Sequence, residues 1–131
     1  MSEIDFDFEL GHLENGVWFP NEFGEDDRID IKFSVTNNTD KKIRSIEISF
    51  FPFENDRKIS PYDLLRTEKR TITIERPLRP NRTYSSYLEN MWFDRSIVKV
   101  YADYANIFFY GGFSDVFISK MVYIKQISPE T

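Results

Sequence analysis

The stretch "IDFDFEL", Ile4 to Leu10, alternates apolar and acidic residues without a break. With Glu3 in front, Glu3, Asp5, Asp7 and Glu9 fall on one side and Ile4, Phe6, Phe8 and Leu10 on the other. Successive side chains on a strand point to opposite faces, so this pattern fits a half-buried strand. A helix would scatter the four carboxylates around its circumference and leave no apolar stripe to bury. The pattern recurs in "RIDIKFSV", where Ile29, Ile31, Phe33 and Val35 oppose Asp30, Lys32, Ser34 and Thr36. A third copy, "IRSIEISFFPF", turns Ile46, Ile48 and Phe50 inward, and Pro52 ends the strand or marks an edge.

Between and after these segments, turn signals come roughly every ten residues. "GHLENGVWFPNEFGEDD" reads as a loop with a short strand at Val17–Phe19. In "NNTD" the Asn and Asp side chains can bond their own backbone and reverse the chain. Ser60-Pro61 opens one short helical turn through Leu65. Further strands are expected on Ile72 and Ile74, over Thr83–Phe93, through Val98, Val100 and Ala102 or through Ile97, Lys99, Tyr101 and Asp103, and from Asp115 onward, with Gly111-Gly112 as a hairpin tip. Aromatics make up 17% of the chain and alanine occurs only at Ala102 and Ala105, a balance that favours strands over helices. The expectation is an all-β chain: one antiparallel β-sandwich domain over residues 1–131, of seven or eight strands with at most one short helical turn.

"IKFSVTNNTDKKIRSIEISFFPFEND" resembles the B–C hairpin of immunoglobulin-like domains of unknown function found in bacterial proteins. The resemblance runs through Val35, Asn37, Thr39, Lys41, Ile43, Ile46, Ile48 and Phe50, and "PLRPNRTYS" is similar to the Pro-containing turn before their next strand. It implies an immunoglobulin-like sandwich that works by binding, and it carries no catalytic residues.

Signals for chemistry are sparse. There is no cysteine, which removes disulfides, zinc thiolates and cysteine nucleophiles. The acidic N-terminus lacks a basic and apolar leader, and no apolar run reaches the ~20 residues of a membrane helix, so the reading is a cytoplasmic protein with no membrane contact. The single imidazole, His12, sits in the expected loop with no nucleophile motif around any serine. Glu25, Asp26, Asp27 and Asp30 are hard oxygen donors close in sequence, but their spacing does not match a calcium loop and they read as an acidic surface loop. No cofactor is expected.

Charge is distributed unevenly. Residues 1–30 hold ten acids and one base, whereas residues 31–93 hold twelve bases and eight acids. The best basic cluster, Arg66, Lys69, Arg70, Arg76, Arg79 and Arg82, has Tyr84 and Tyr87 nearby. The overall net charge of −5 argues against nucleic acid, so the cluster reads as the counterpart of the acidic N-terminal region.

The four carboxylates of the opening strand repel one another if buried, so their face is wet or paired with bases such as Lys32 or Lys125. A charged edge strand also resists pairing with another molecule's edge. In "FFPF" and "IFFYGGF" aromatics stand at consecutive positions, so some of them must face outward. The expected site is therefore one protein-binding surface that joins Glu3, Asp5, Asp7 and Glu9 to outward aromatics at Phe51, Phe53, Phe108, Phe109 and Tyr110. A homodimer that buries the aromatics is a variant of this reading. Two alternatives stand beside it. One is a small, phage-borne inhibitor whose acids imitate nucleic acid. The other is a carbohydrate-binding sandwich that uses Trp18, Trp92 or Tyr110 as a stacking platform.

Overall fold

The computed structural model describes residues 3–54, 57–58 and 69–124. The opening alternation becomes β1 (Ile4–Glu14), followed by β2 (Val17–Pro20), a 3₁₀ turn at Glu25–Asp27, β3 (Arg28–Asn37) and β4 (Ile43–Glu54). Then come β5 (Arg57–Lys58), β6 (Arg70–Ile74), β7 (Thr83–Phe93), β8 (Lys99–Phe109) and β9 (Gly112–Tyr123). The helical turn expected at Ser60–Leu65, together with Arg66 and Lys125, lies outside the described residues.

The strands form two antiparallel sheets. One has the order β2-β1-β3-β7. In the other, β5-β4-β8-β9, β6 pairs with β4 on the same side as β5. The apolar sets of β1, β3, β4 and β8 meet between the sheets, and the ring of Phe8 on β1 meets Phe50 on β4 edge-on at 5.4 Å. The chain's two alanines are placed where bulk would clash. Ala102 lies across from Phe50 and Ala105 across from Ile48, and all four side chains are buried. Alternating large and small side chains lets such a layer interdigitate without strain.

Several expectations change in register or extent. β1 does not stop at Gly11 but continues to Glu14, and Asn15-Gly16, both at positive φ, close a two-residue turn into β2. That is the backbone conformation an Asn-Gly hairpin requires. Gly11 itself is needed here, because an added Cβ would sit 2.2 Å from the Phe19 carbonyl oxygen. β3 and β4 are not a hairpin. They belong to different sheets, and the 38–42 loop carries the chain from one to the other. Ile97, rather than Val98, enters the core, because the Asp94–Ser96 turn resets the alternation before β8 starts at Lys99. Among the described residues no helix is long and apolar enough to cross a membrane.

Two buried polar side chains tie neighbouring strands and loops together. The alternation places Asp30 in the outward set of β3, yet it is fully buried. β7 bulges opposite it, with Ile29 across from Trp92 and Ile31 across from Leu88, and Asn90 takes a positive φ. The displaced Asn90 N–H donates to Asp30 Oδ1 at 2.7 Å, and the Leu13 N–H donates to Oδ2 at 2.8 Å. Arg28 Nε completes the set at 3.3 Å and also donates from Nη2 to the Leu13 carbonyl at 2.7 Å. One carboxylate thus fastens β1, β3 and β7 where the ladder is interrupted. The second knot, Asn37, lies at the opposite end of β3 and is treated below.

Candidate functional site

Face geometry decides what the exposed strands can present. On the four-stranded sheet, Asp5, Asp7 and Glu9 of β1 point outward beside Thr36, Ser34 and Lys32 of β3, which lie beside Thr83, Ser85 and Tyr87 of β7. This face satisfies itself. Trp18 lies over the bare backbone of Gly11, donates from Nε1 to Glu9 Oε1 at 2.7 Å and meets Tyr87 with ring centroids 5.5 Å apart. Asn38 Nδ2 donates to Asp5 Oδ2 at 2.9 Å, and the Thr36 and Thr83 hydroxyls are 2.7 Å apart. Lys32 lies directly across from Glu9, as the charge pattern suggested. A shallow concavity lined by Asp7, Glu9, Lys32, Ser34 and Ser85 remains on this face. Residues Ile4–Leu10 of β1 pair with β3 on one side only, so the acids do lie along a sheet edge.

The outer face of the five-stranded sheet has a different character. Cross-strand rows run Phe53–Lys99–Tyr123, Phe51–Tyr101–Met121 and Phe108–Phe113, with Tyr104 across from Phe117 between them. Phe117 is 82% exposed, Phe113 68% and Tyr123 60%. Part of the face is organised by its own residues. Phe108 stacks on Phe113 at 6.0 Å, Lys99 Nζ lies over the rings of Phe53 and Tyr123 at 5.7 and 5.9 Å, and Asn106 donates to Glu47 Oε1 at 2.9 Å. Phe113 is covered in part by Phe108 alone among the described rings, and Phe117 stands almost fully in solvent. Among the described residues β9 is also an edge, paired with β8 alone.

The expected single surface is therefore two surfaces. Glu3, Asp5, Asp7 and Glu9 belong to the four-stranded sheet, and Phe51, Phe53 and Phe108 face outward from the other. Phe109 turns the opposite way and packs against the core, because it is one step out of phase with Phe108. Tyr110 is at the tip of the β8–β9 turn, with Lys42 Nζ 5.2 Å from its ring centre. Sequence reasoning missed Tyr104, Phe113, Phe117, Met121 and Tyr123 as members of the exposed face. The period-2 pattern of "GFSDVFISKMVY" contained the signal, but one bulge, which sets Ala102 and Tyr104 across from Lys120 and Phe117 and gives Ser119 a positive φ, interrupts the pairing of these two strands.

The remaining candidates resolve as follows. Trp92 is buried in the core and Trp18 is occupied by Glu9 and Tyr87, so neither is a free stacking platform. The His12 ring stacks on Phe19 at 5.0 Å, with Nδ1 3.2 Å from the Glu22 carbonyl oxygen. The four acids of 25–30 do not converge: Asp27 pairs with Arg95 at 2.9 Å, and Asp30 is buried in its knot. Among the described residues no group of three metal-ligating side chains is assembled. The basic cluster also divides. Arg70 Nη1 donates to the Met91 carbonyl at 2.7 Å across the other margin of the sandwich, while Arg76, Arg79 and Arg82 collect at one end. Among the described residues, Arg76, Arg79 and Arg82 form no ion pair with the acidic N-terminal region.

With this geometry in place, the chain can be compared with known proteins. No family model and no curated protein matches it. In fold it is similar to a solved structure described as the X-ray structure of Northeast Structural Genomics Consortium target SoR45. The two share 11% sequence identity at a TM-score of 0.53, over 97% of this chain and 88% of that one. At that identity the likeness concerns the fold alone.

Proposed function

We propose that the chain is a non-catalytic, immunoglobulin-like binding module that docks a protein partner on the outer face of its five-stranded sheet. Strand order supports the fold assignment: β1-β3-β7 opposed to β6-β4-β8-β9, with β3 passing to β4 between the sheets, follows the plan of an immunoglobulin-like sandwich. The observation that carries the function is the exposure of Phe113, Phe117 and Tyr123, grouped with Tyr104 and Met121 on adjoining strands. Large contiguous apolar patches are uncommon on monomers, and buried aromatic anchors dominate protein interfaces. Burying a Phe ring contributes about 1.5–3 kcal/mol, so a few of them support a specific contact.

The acids of β1 take a secondary part. They lie on the other outer face, and their charge acts on approach rather than in the contact. The test is retention of proteins from native-host lysate by the wild-type chain, by a Phe113→Ser/Phe117→Ser variant and by an Asp5→Lys/Asp7→Lys variant. Proteins held by the wild type should be lost with the serines and kept, with slower association at low salt, by the lysines. Equal retention by the serine variant overturns the proposal. Sedimentation of the wild type alone separates a homodimer from a foreign partner.

A further inference from the structure

At one end of the sandwich the chain reverses its overall charge. The 38–42 loop brings Lys41 and Lys42, and the 75–82 loop brings Arg76, Arg79 and Arg82. All five are exposed, and among the described residues none of them forms an ion pair. Two acids, Asp40 and Glu75, share these loops, and Glu3 and Asp5 at the start of β1 adjoin them through Asn38. Lys42, Arg76, Arg79 and Arg82 line a concavity of about 420 Å³. A neighbouring one of about 560 Å³ is lined by Lys41, Lys42 and Tyr110, so Lys42 borders both.

Unpaired like charges repel, and a chain of net charge −5 has carboxylates to spare for pairing them. Asp5 of β1 reaches the same end but bonds to Asn38 of the loop at 2.9 Å, and none of the five cations ion-pairs with a carboxylate among the described residues. Asn37 lies beneath the loops, fully buried. Its Nδ2 donates to the carbonyls of Lys41 at 2.8 Å and Leu78 at 3.0 Å, and its Oδ1 accepts from the Thr39 N–H at 3.0 Å and the Thr39 hydroxyl at 2.6 Å. Its own N–H donates to the Arg82 carbonyl at 3.0 Å, and its carbonyl accepts from the Asn81 N–H at 2.6 Å. Ile43 and Leu78 exchange two further backbone bonds of 2.9 Å. The peptides that bear the cations are thereby fixed before any ligand arrives. Two of the heads are also steered by rings, Arg76 over Tyr84 at 4.9 Å and Lys42 over Tyr110 at 5.2 Å. Preorganised cations lose less entropy when they bind.

We infer that this end is a binding site for a chain of phosphate groups, with successive phosphates spanning the two concavities. Arg forks and Lys ammonium groups are suited to phosphate oxygens. The acidic balance of the whole chain does not prevent this, because salt screens charges beyond ~8–10 Å and the local set governs a contact. A phosphodiester strand and inorganic polyphosphate share the recognised chemistry. An exposed Tyr110 ring at the rim offers stacking to bases only, which separates the two sources.

The experiment is fluorescence anisotropy and competition on the full chain. The probes are a labelled single-stranded oligothymidine of about twelve nucleotides, inorganic polyphosphate and poly-glutamate of matched charge. Binding of at least one phosphate chain is expected at about 50 mM salt, weakening about 20- to 100-fold by about 200 mM if three to five contacts form. Arg79→Glu/Arg82→Glu and, separately, Lys41→Glu/Lys42→Glu should each weaken it by tenfold or more, while Lys120→Glu on β9 leaves it unchanged. Circular dichroism checks that each variant is folded, and using two separate pairs keeps the test valid if one pair fails to fold. Loss of oligothymidine binding in Tyr110→Ala assigns the strand as ligand, and polyphosphate binding that competes with an oligothymidine indifferent to that change assigns polyphosphate. Absence of binding to both, equal binding of poly-glutamate, or indifference to both reversal pairs overturns the inference.

Discussion

The two outer faces of this sandwich are made from the same kind of strand and end in different states. On the four-stranded sheet the outward side chains are short or charged and bond to one another: Glu9 to Trp18, Asp5 to Asn38 and Thr36 to Thr83. On the five-stranded sheet they are aromatic, and the rings on β9 have only partial cover. The first face is complete as it stands, whereas the second exposes apolar area to water at a cost of roughly 25 cal/mol per Å² relative to burial. The difference teaches where stability and binding should part. Changes to the bonded side chains at or beneath the first face should cost folding free energy and leave the docked contact intact. Changes on the second should do the reverse.

The largest expected effect is beneath the first face. Asp30→Ala leaves the Leu13 and Asn90 N–H groups and the Arg28 guanidinium without their shared acceptor, and should cost about 3–5 kcal/mol in urea unfolding. A loss under about 1 kcal/mol would mean that water replaces the carboxylate and that the β7 bulge supports itself. Trp18→Ala removes the cover of Gly11 and the partner of Glu9, and should cost about 2–3 kcal/mol, below the range for a fully buried ring because Trp18 is half-buried. Gly11→Ala forces a Cβ against the Phe19 carbonyl, and should cost about 1–3 kcal/mol and shift tryptophan emission toward that of exposed indole. Phe117→Ser on the second face should change unfolding by no more than about 0.5 kcal/mol while reducing dye binding to exposed apolar surface. The smallest change is expected for Asp7→Lys, an exposed acid on the first face, within about 0.5 kcal/mol and with no effect on dye binding. A reversal of the last two outcomes would break the division between the faces.

Much of this arrangement was legible before any coordinates. Ile29, Ile31, Phe33 and Val35 enter the core as their alternation requires, as do Ile46, Ile48 and Phe50. The 83–93 strand and the Asn81 turn also fall where the pattern put them. What escaped was local and specific. Asn15-Gly16 between apolar segments is a hairpin signal that was absorbed into a loop. Asp30 sits in a clean alternation and was assigned outward. Only the bulge in β7, sixty positions on, gives its carboxylate donors enough to compensate for burial. Phe108 and Phe109 are indistinguishable as residues, and phase alone sends one to solvent and the other to the core.

The amino-acid order by itself determined the class of element, the inward apolar sets of β1, β3 and β4, and the separation of an acidic N-terminal stretch from a basic middle. These depend on a period of two and on residue type, and both are local properties. Which sheet each strand joined was decided only by the tertiary structure. That choice put the acids and the aromatics on opposite outer faces, sank Asp30 into a seam, and gathered Lys41 and Lys42 with Arg76, Arg79 and Arg82 over a buried Asn37. Each of these outcomes needs hydrogen-bond partners and packing surfaces far away in the chain, and no window of neighbouring residues contains them.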